Sequence, residues 1–154
     1  MRKFEEADLK KKTGRIQLPE NPAGLSTETI EILQTTIKSF LKDGYLPCGV
    51  AHKIAREADV PLIAIGAIAD KLGVRVTNCQ IGCFKVDKTL FDKSTAREND
   101  NCIVAMLEAM QEKGELTCGD IFEQAKKLKV TPMAIANVAN SLNLKIHHCQ
   151  LGCF

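Results

Sequence analysis

Shifting the chain by 70 residues lays positions 37–84 on 107–154 without a gap, and 15 of the 48 aligned pairs are identical. The first copy closes on CQIGCF at 79–84 and the second on CQLGCF at 149–154. A fixed offset of this kind restricts the chain to two copies of one supersecondary unit. Each copy spans roughly 60 residues, which is marginal for an independent core. Two units packed as a pseudo-dimer are therefore expected. The organisation read from the repeat is a loose N-terminal arm at 1–25, a first unit at 26–84, a polar linker at 85–94 and a second unit at 95–154.

The unit reads as three helices and a strand. In STETIEILQTTIKSFLKDG, Ser26 or Thr27 can cap a helix, apolar residues recur at 30, 33, 37, 40 and 41, and Gly44 is a stop. The second copy has a capping-box pattern in Thr95 and Glu98, with Gly114 as the stop. CGVAHKIAREA is a second helix. PLIAIGAIADKLG is a third, with Pro61 in its first turn. VRVTNC alternates apolar and polar residues and predicts a short strand; KIHHC takes its place in the second copy.

The apolar spacing across the second and third helices resembles that of a helix-turn-helix. The positions that carry it are Ile54, Ala55, Ala58, Val60, Ile65 and Ile68, and in the second copy Gln124, Ala125, Leu128, Val130, Ile135 and Val138. Gln124 departs from the pattern, and Asp59 and Lys129 stand where a turn glycine is usual. The following strand makes each unit similar to a winged helix. The resemblance implies a mostly α fold of two tandem three-helix units, each ending in a short strand or wing, with DNA binding as the conventional use.

Major-groove readout needs hydrogen-bonding side chains at the start of the third helix. The first copy offers Pro61, Leu62, Ile63, Ala64, Gly66 and Ala67, none of which can contact a base edge. The second has only Thr131 and Asn137 as polar groups. These surfaces read as packing surfaces that a protein partner or the other copy covers. Lys126, Lys127 and Lys129 after the second helix, with Lys145, His147 and His148 on the second wing, can contact phosphate or a partner without reading sequence. The expected binding to nucleic acid is weak, and a DNA-binding transcriptional regulator is the alternative reading.

All three cysteines of one copy meet a cysteine in the other: Cys48 with Cys118, Cys79 with Cys149, and Cys83 with Cys153. Cys48 and Cys118 fall at a helix N-terminus, where backbone N–H groups favour thiolate. The CQxGC segment predicts a turn whose Gly takes positive φ, with Phe84 or Phe154 closing it onto the core. Convergence of Cys48, Cys79 and Cys83, and of Cys118, Cys149 and Cys153, would give each copy a three-thiol site. No fourth zinc ligand recurs, since His52 aligns with Phe122 and His148 with Asn78. The open readings are an iron–sulfur cluster or zinc, a redox-sensing thiol, and inert buried cysteine in a protein-interaction domain. Cys102 lies outside the repeat and reads as core.

Net charge is +2, which does not favour a polyanionic partner, and 45% hydrophobic residues exclude general disorder. No apolar run reaches a membrane span, and MRKFEEADLKKK has no apolar signal region, so a cytoplasmic protein is expected. Cysteines in that compartment are thiols or metal ligands more than disulfides. No phosphate loop, recurring carboxylate pair or Ser/His/Asp set is present, so the reading is a non-enzymatic regulatory or accessory module.

Overall fold

The computed structural model describes residues 18–83, 100–114 and 116–153. The expected arm before residue 18, the linker, the Thr95–Glu98 cap, Phe84 and Phe154 lie outside them. The fold is mostly helical, with six helices and one small two-stranded parallel sheet among the described residues.

The chain divides into two compact units, and these do not coincide with the two repeats. One unit contains the described residues up to Thr77 together with Gln150 onward; the other runs from Asn78 to Cys149. Each unit therefore carries the terminal CQxGCF hook, or most of it, of the other repeat.

In the first unit, helix α1 spans Thr27–Ser39. Ser26 caps it by accepting from the Thr29 N–H at 3.1 Å, and Leu33 and Ile37, one turn apart, are its buried residues. The helix ends at Ser39, before the expected stop at Gly44, and Phe40 is 42% exposed. Asp43 and Gly44 both take positive φ, and Lys42 and Tyr45 exchange backbone hydrogen bonds of 2.8 and 2.9 Å across them. This tight turn, with its Asp-Gly chemistry, ends the helical path. Strand β1 (Tyr45–Pro47) follows and leads into α2 (Cys48–Glu57) and α3 (Leu62–Lys71). Strand β2 (Arg75–Thr77) pairs in parallel with β1, in the register Tyr45 to Arg75 and Pro47 to Thr77. The strand after the third helix is where its alternation placed it. Its partner is the segment before α2, and an antiparallel hairpin wing is not the pairing formed.

The second unit contains α4 (Asp100–Lys113), α5 (Cys118–Leu128) and α6 (Pro132–Ser141). Gly114 follows α4 directly, as expected of a stop. Thr117 and Asp120 form a capping box at α5, whereas the equivalent α2 has Pro47 at its cap and no side-chain bond. The parallel pairing shrinks here to one bridge, Thr117 to His147. Under the offset of 70 it is the counterpart of Pro47 to Thr77. Pro132 occupies the first position of α6 with Thr131 as cap, while Pro61 is itself the cap of α3.

Both turns between second and third helices hold a non-glycine residue in the left-handed region, Asp59 at φ 52° and Lys129 at φ 54°. Of the expected core positions, Ile54, Ala55, Ile65, Ile68, Ala125, Ile135 and Val138 are buried. Ala58 is exposed at the end of α2, where the chain is already leaving the helix.

Helix α3 is buried over six consecutive residues, Ala64 to Ala69. A run that covers every face needs a neighbour on the side away from α1 and α2. Within this unit the hook at 150–153 supplies it. A Cβ added at Gly66 would collide with the Leu151 carbonyl oxygen and stand 2.8 Å from its carbonyl carbon. Gly152 meets Leu18 and Ile63, with Ile63 Cδ1 3.1 Å from an added Cβ. In the second unit, Gly82 meets the Met133 Sδ at 3.1 Å. Ile63 and Met133 are equivalent under the repeat, so each third helix receives a hook glycine at the same position.

Gly66→Ala is expected to cost roughly 1–3 kcal/mol, because the obstacle is backbone and cannot rotate away. Urea denaturation should show the loss, and limited proteolysis of the folded variant should cut faster near residues 150–153.

Candidate functional site

The hooks share a backbone plan. Asn78 and His148, which precede the first hook cysteine, have φ of 50° and 51°, and Gly82 and Gly152 have φ of 73° and 69°. The first left-handed residue turns the chain out of the strand position. The glycine then reverses it, and in the first hook the Gly82 N–H donates to the Cys79 carbonyl at 3.0 Å. This reversal brings the second cysteine back toward the first, which is what a Cys-x-x-x-Cys segment needs to present two sulfurs together.

Cys79 is 3% exposed, whereas Cys83 at the far side of the turn is exposed. Their thiols are hydrogen-bonded, and Cys149 lies near enough for its charge to act on Cys83. The hydrogen bond with Cys79 is the main cause that pushes the Cys83 thiol far above its ordinary value of 9.0; burial and the negative charges of Cys79 and Cys149 add to it. Cys79, Cys83 and Cys149 all belong to the second unit.

Cys48 belongs to the first unit and Cys79 and Cys83 to the second; Cys118 and Cys149 belong to the second and Cys153 to the first. Cys48 and Cys118 are buried as the opening residues of α2 and α5, and Cys153 is half-buried. The Cys118 N–H donates to the His147 carbonyl at 3.0 Å, which fixes that helix head to the strand position. No disulfide joins any of the seven cysteines. Among the described residues, no three or more His, Cys, Asp or Glu side chains already stand in an arrangement able to hold a metal ion. Cys102 is exposed near the start of α4 and is not core; at the third residue of the helix it lies before the buried positions Ile103 and Leu107.

The basic residues are dispersed. Lys126 and Lys127 occupy the last turn of α5, and Lys129 follows in the turn; all three are exposed. Lys127 pairs with Glu123 at 2.6 Å, one helical turn back. Lys145 and His147 border a shallow cleft with Gln111, Leu116 and Asn143. The His147 and His148 rings are 6.2 Å apart between centroids. On the third helices, Ala64, Gly66 and Ala67 are buried, as are Met133, Ala134 and Ala136.

The docking residues Leu151, Ile63 and Met133 were not visible as a set in the sequence. One signal pointed to them. A glycine inside LIAIGAIAD costs about 1 kcal/mol of helix propensity against alanine, and a close approach of backbone is a usual reason for one.

No protein-family model, curated protein or solved structure matches this chain.

Two outcomes are expected of Cys83. In the metal-free protein at pH 8 it should alkylate more slowly than Cys102 despite its exposure, as read by mass spectrometry. The second concerns stability. The folded state holds the Cys83 proton above the pH at which the unfolded chain sheds it, so the stabilisation is intact below pH 9.0 and is lost as pH rises beyond it. Denaturation midpoints should fall more steeply above pH 9.0 in the wild type than in Cys83→Ser.

Proposed function

We propose that this chain is a non-enzymatic regulatory or accessory module that binds a thiophilic metal, as zinc or as the iron of an iron–sulfur cluster, on a tandem helix-turn-helix scaffold. The observation that carries this reading is that all three cysteines of each repeat recur in the other, Cys48 with Cys118, Cys79 with Cys149 and Cys83 with Cys153. A thiophilic metal binds the thiolate and takes the place of the thiol proton, so its binding releases protons. The turn between 79 and 83 runs from a buried cysteine to an exposed one, so an ion in solution can reach Cys83.

The scaffold reading rests on the helix pairs α2–α3 and α5–α6, each joined through a left-handed residue. A winged-helix-like unit is the nearest description, with β2 and the His147 position standing where a wing begins. The burial of Ala64, Gly66 and Ala67 counts against the conventional DNA-reading use, because those side chains cannot enter a groove while the helix remains packed. The basic groups left, Lys126, Lys127, Lys129, Lys145, His147 and His148, suit non-specific phosphate contact.

The test is anaerobic purification of the full chain, followed by zinc, iron and acid-labile sulfide analysis and an absorption spectrum. Bound metal that is lost in a folded Cys79→Ser/Cys83→Ser variant is expected. A folded wild-type protein that holds no metal, even after incubation with excess Zn(II) or with iron and sulfide, contradicts the proposal. If that protein instead cycles reversibly between a Cys79–Cys83 disulfide and the dithiol, the redox reading takes its place.

A further inference from the structure

We infer that the second repeat carries a binding site for a small organic carboxylate, in the cleft bordered by Lys145 and His147. The site uses none of the cysteines and goes beyond the metal-binding reading.

The cleft lies where the two repeats differ in backbone pairing. In the first repeat, Tyr45, Leu46 and Pro47 pair with Arg75, Val76 and Thr77. Under the offset of 70, the second repeat keeps only the last of these pairs, as Thr117 with His147. Leu116, Lys145 and Ile146 belong to no strand, and Leu116 and Lys145 line a cleft of about 390 Å³. That volume lies at the lower end of small-molecule sites, which run from roughly 300 to 1,000 Å³. Gln111, Asn143, Leu144 and His147 complete most of the lining, all within one compact unit.

The lining suits an anionic head on an apolar body. Where the first repeat has Leu41, Gly73 and Thr77, the second has Gln111, Asn143 and His147. The first two exchanges add an amide and the third an imidazole. Asn143 has φ 57°, and Gly73 serves the equivalent turn at φ 68°. Asparagine tolerates this region and brings a hydrogen-bonding group with it. The wall that carries the imidazole is fixed. The His147 N–H donates to the Leu116 carbonyl at 2.7 Å, and the His147 carbonyl accepts from the Cys118 N–H at 3.0 Å. Helix-end carbonyls beside the cleft are already engaged: Gln111 accepts from the Gly114 N–H at 3.3 Å, Asn140 from Asn143 at 3.1 Å and Ala139 from Leu144 at 2.9 Å. No carboxylate is among the described lining residues, and Lys145 supplies positive charge. Leu116, 4% exposed, and Leu144 offer the apolar surface. A carboxylate can thus accept from Lys145, the imidazole and the two amides while its body lies on the leucines.

The test is a titration of the full chain with benzoate, followed residue by residue by heteronuclear NMR, with benzyl alcohol and inorganic phosphate as comparison probes. Saturable shifts centred on the amides of Leu116, Asn143, Leu144, Lys145 and His147 are expected with benzoate. Benzyl alcohol lacks the charge and phosphate lacks the apolar body, so each should bind at least about tenfold more weakly. Lys145→Ala, at an exposed position, should weaken benzoate by about tenfold, while Lys53→Ala in the other unit leaves it unchanged. Benzyl alcohol binding as tightly as benzoate overturns the carboxylate assignment. Phosphate binding as tightly, with shifts spread over Lys126, Lys127 and Lys129, overturns it in favour of an ordinary basic surface. A benzoate Kd above about 10 mM, or an unchanged Kd in folded Lys145→Ala, overturns the site itself.

Discussion

The carbonyl oxygen of Leu151 can rest on helix α3 only because residue 66 has no Cβ. Most of the architecture depends on that approach. Helix α3 is apolar over nearly its whole circumference, and α1 and α2 can cover only part of it. The hook covers the remainder, so the fold is completed by a segment that belongs in sequence to the other repeat. The exchange is reciprocal in position, since Gly152 meets Ile63 and Gly82 meets the equivalent Met133. Hook and helix are thus matched parts, and the same reversal that presents the glycine to the helix brings two cysteines together.

The two copies meet this demand differently. Ala136 stands where the first copy has Gly66, so α6 carries a Cβ at the place where α3 admits a carbonyl. The first copy has three paired residues in its parallel sheet, and the second retains a single bridge. The second copy in turn has the better-capped helix, with Thr117 and Asp120 in a capping box where Pro47 makes no side-chain cap bond. Sheet pairing and helix capping both hold the helix head where the buried cysteine sits. Either device serves, which is why the identities between copies fall at packing and turn positions more than at the residues that make these bonds.

Much of the fold was legible because it is local. Ser26, the apolar spacing of α1 and the alternation at 75–77 act over a few residues, and the helix-turn-helix spacing placed both left-handed turns at Asp59 and Lys129. The end of α1 was misplaced because Asp43-Gly44 forms a tight two-residue turn that stops the helix several residues earlier than a simple glycine cap. The partner of β2 was missed because a parallel pair brings together segments separated by two helices, and a three-residue strand carries no periodicity of its own. Cys102 was misjudged because a cysteine among apolar neighbours on a helix reads as core whichever side it takes. For the candidate site, the repeat marks six of the seven cysteines as equivalent in pairs. A repeat reports which residues are equivalent; it does not report that each hook falls in the compact unit of the other repeat.

If the hooks exist to gather sulfur around a metal, the coordination shell of that metal is the decisive observable. X-ray absorption at the metal edge of the anaerobically loaded full-length protein counts its ligands directly. At least three sulfur neighbours at about 2.3 Å are predicted for zinc. A shell made only of nitrogen and oxygen would contradict the role given to the recurring cysteines and return those of the hooks to packing.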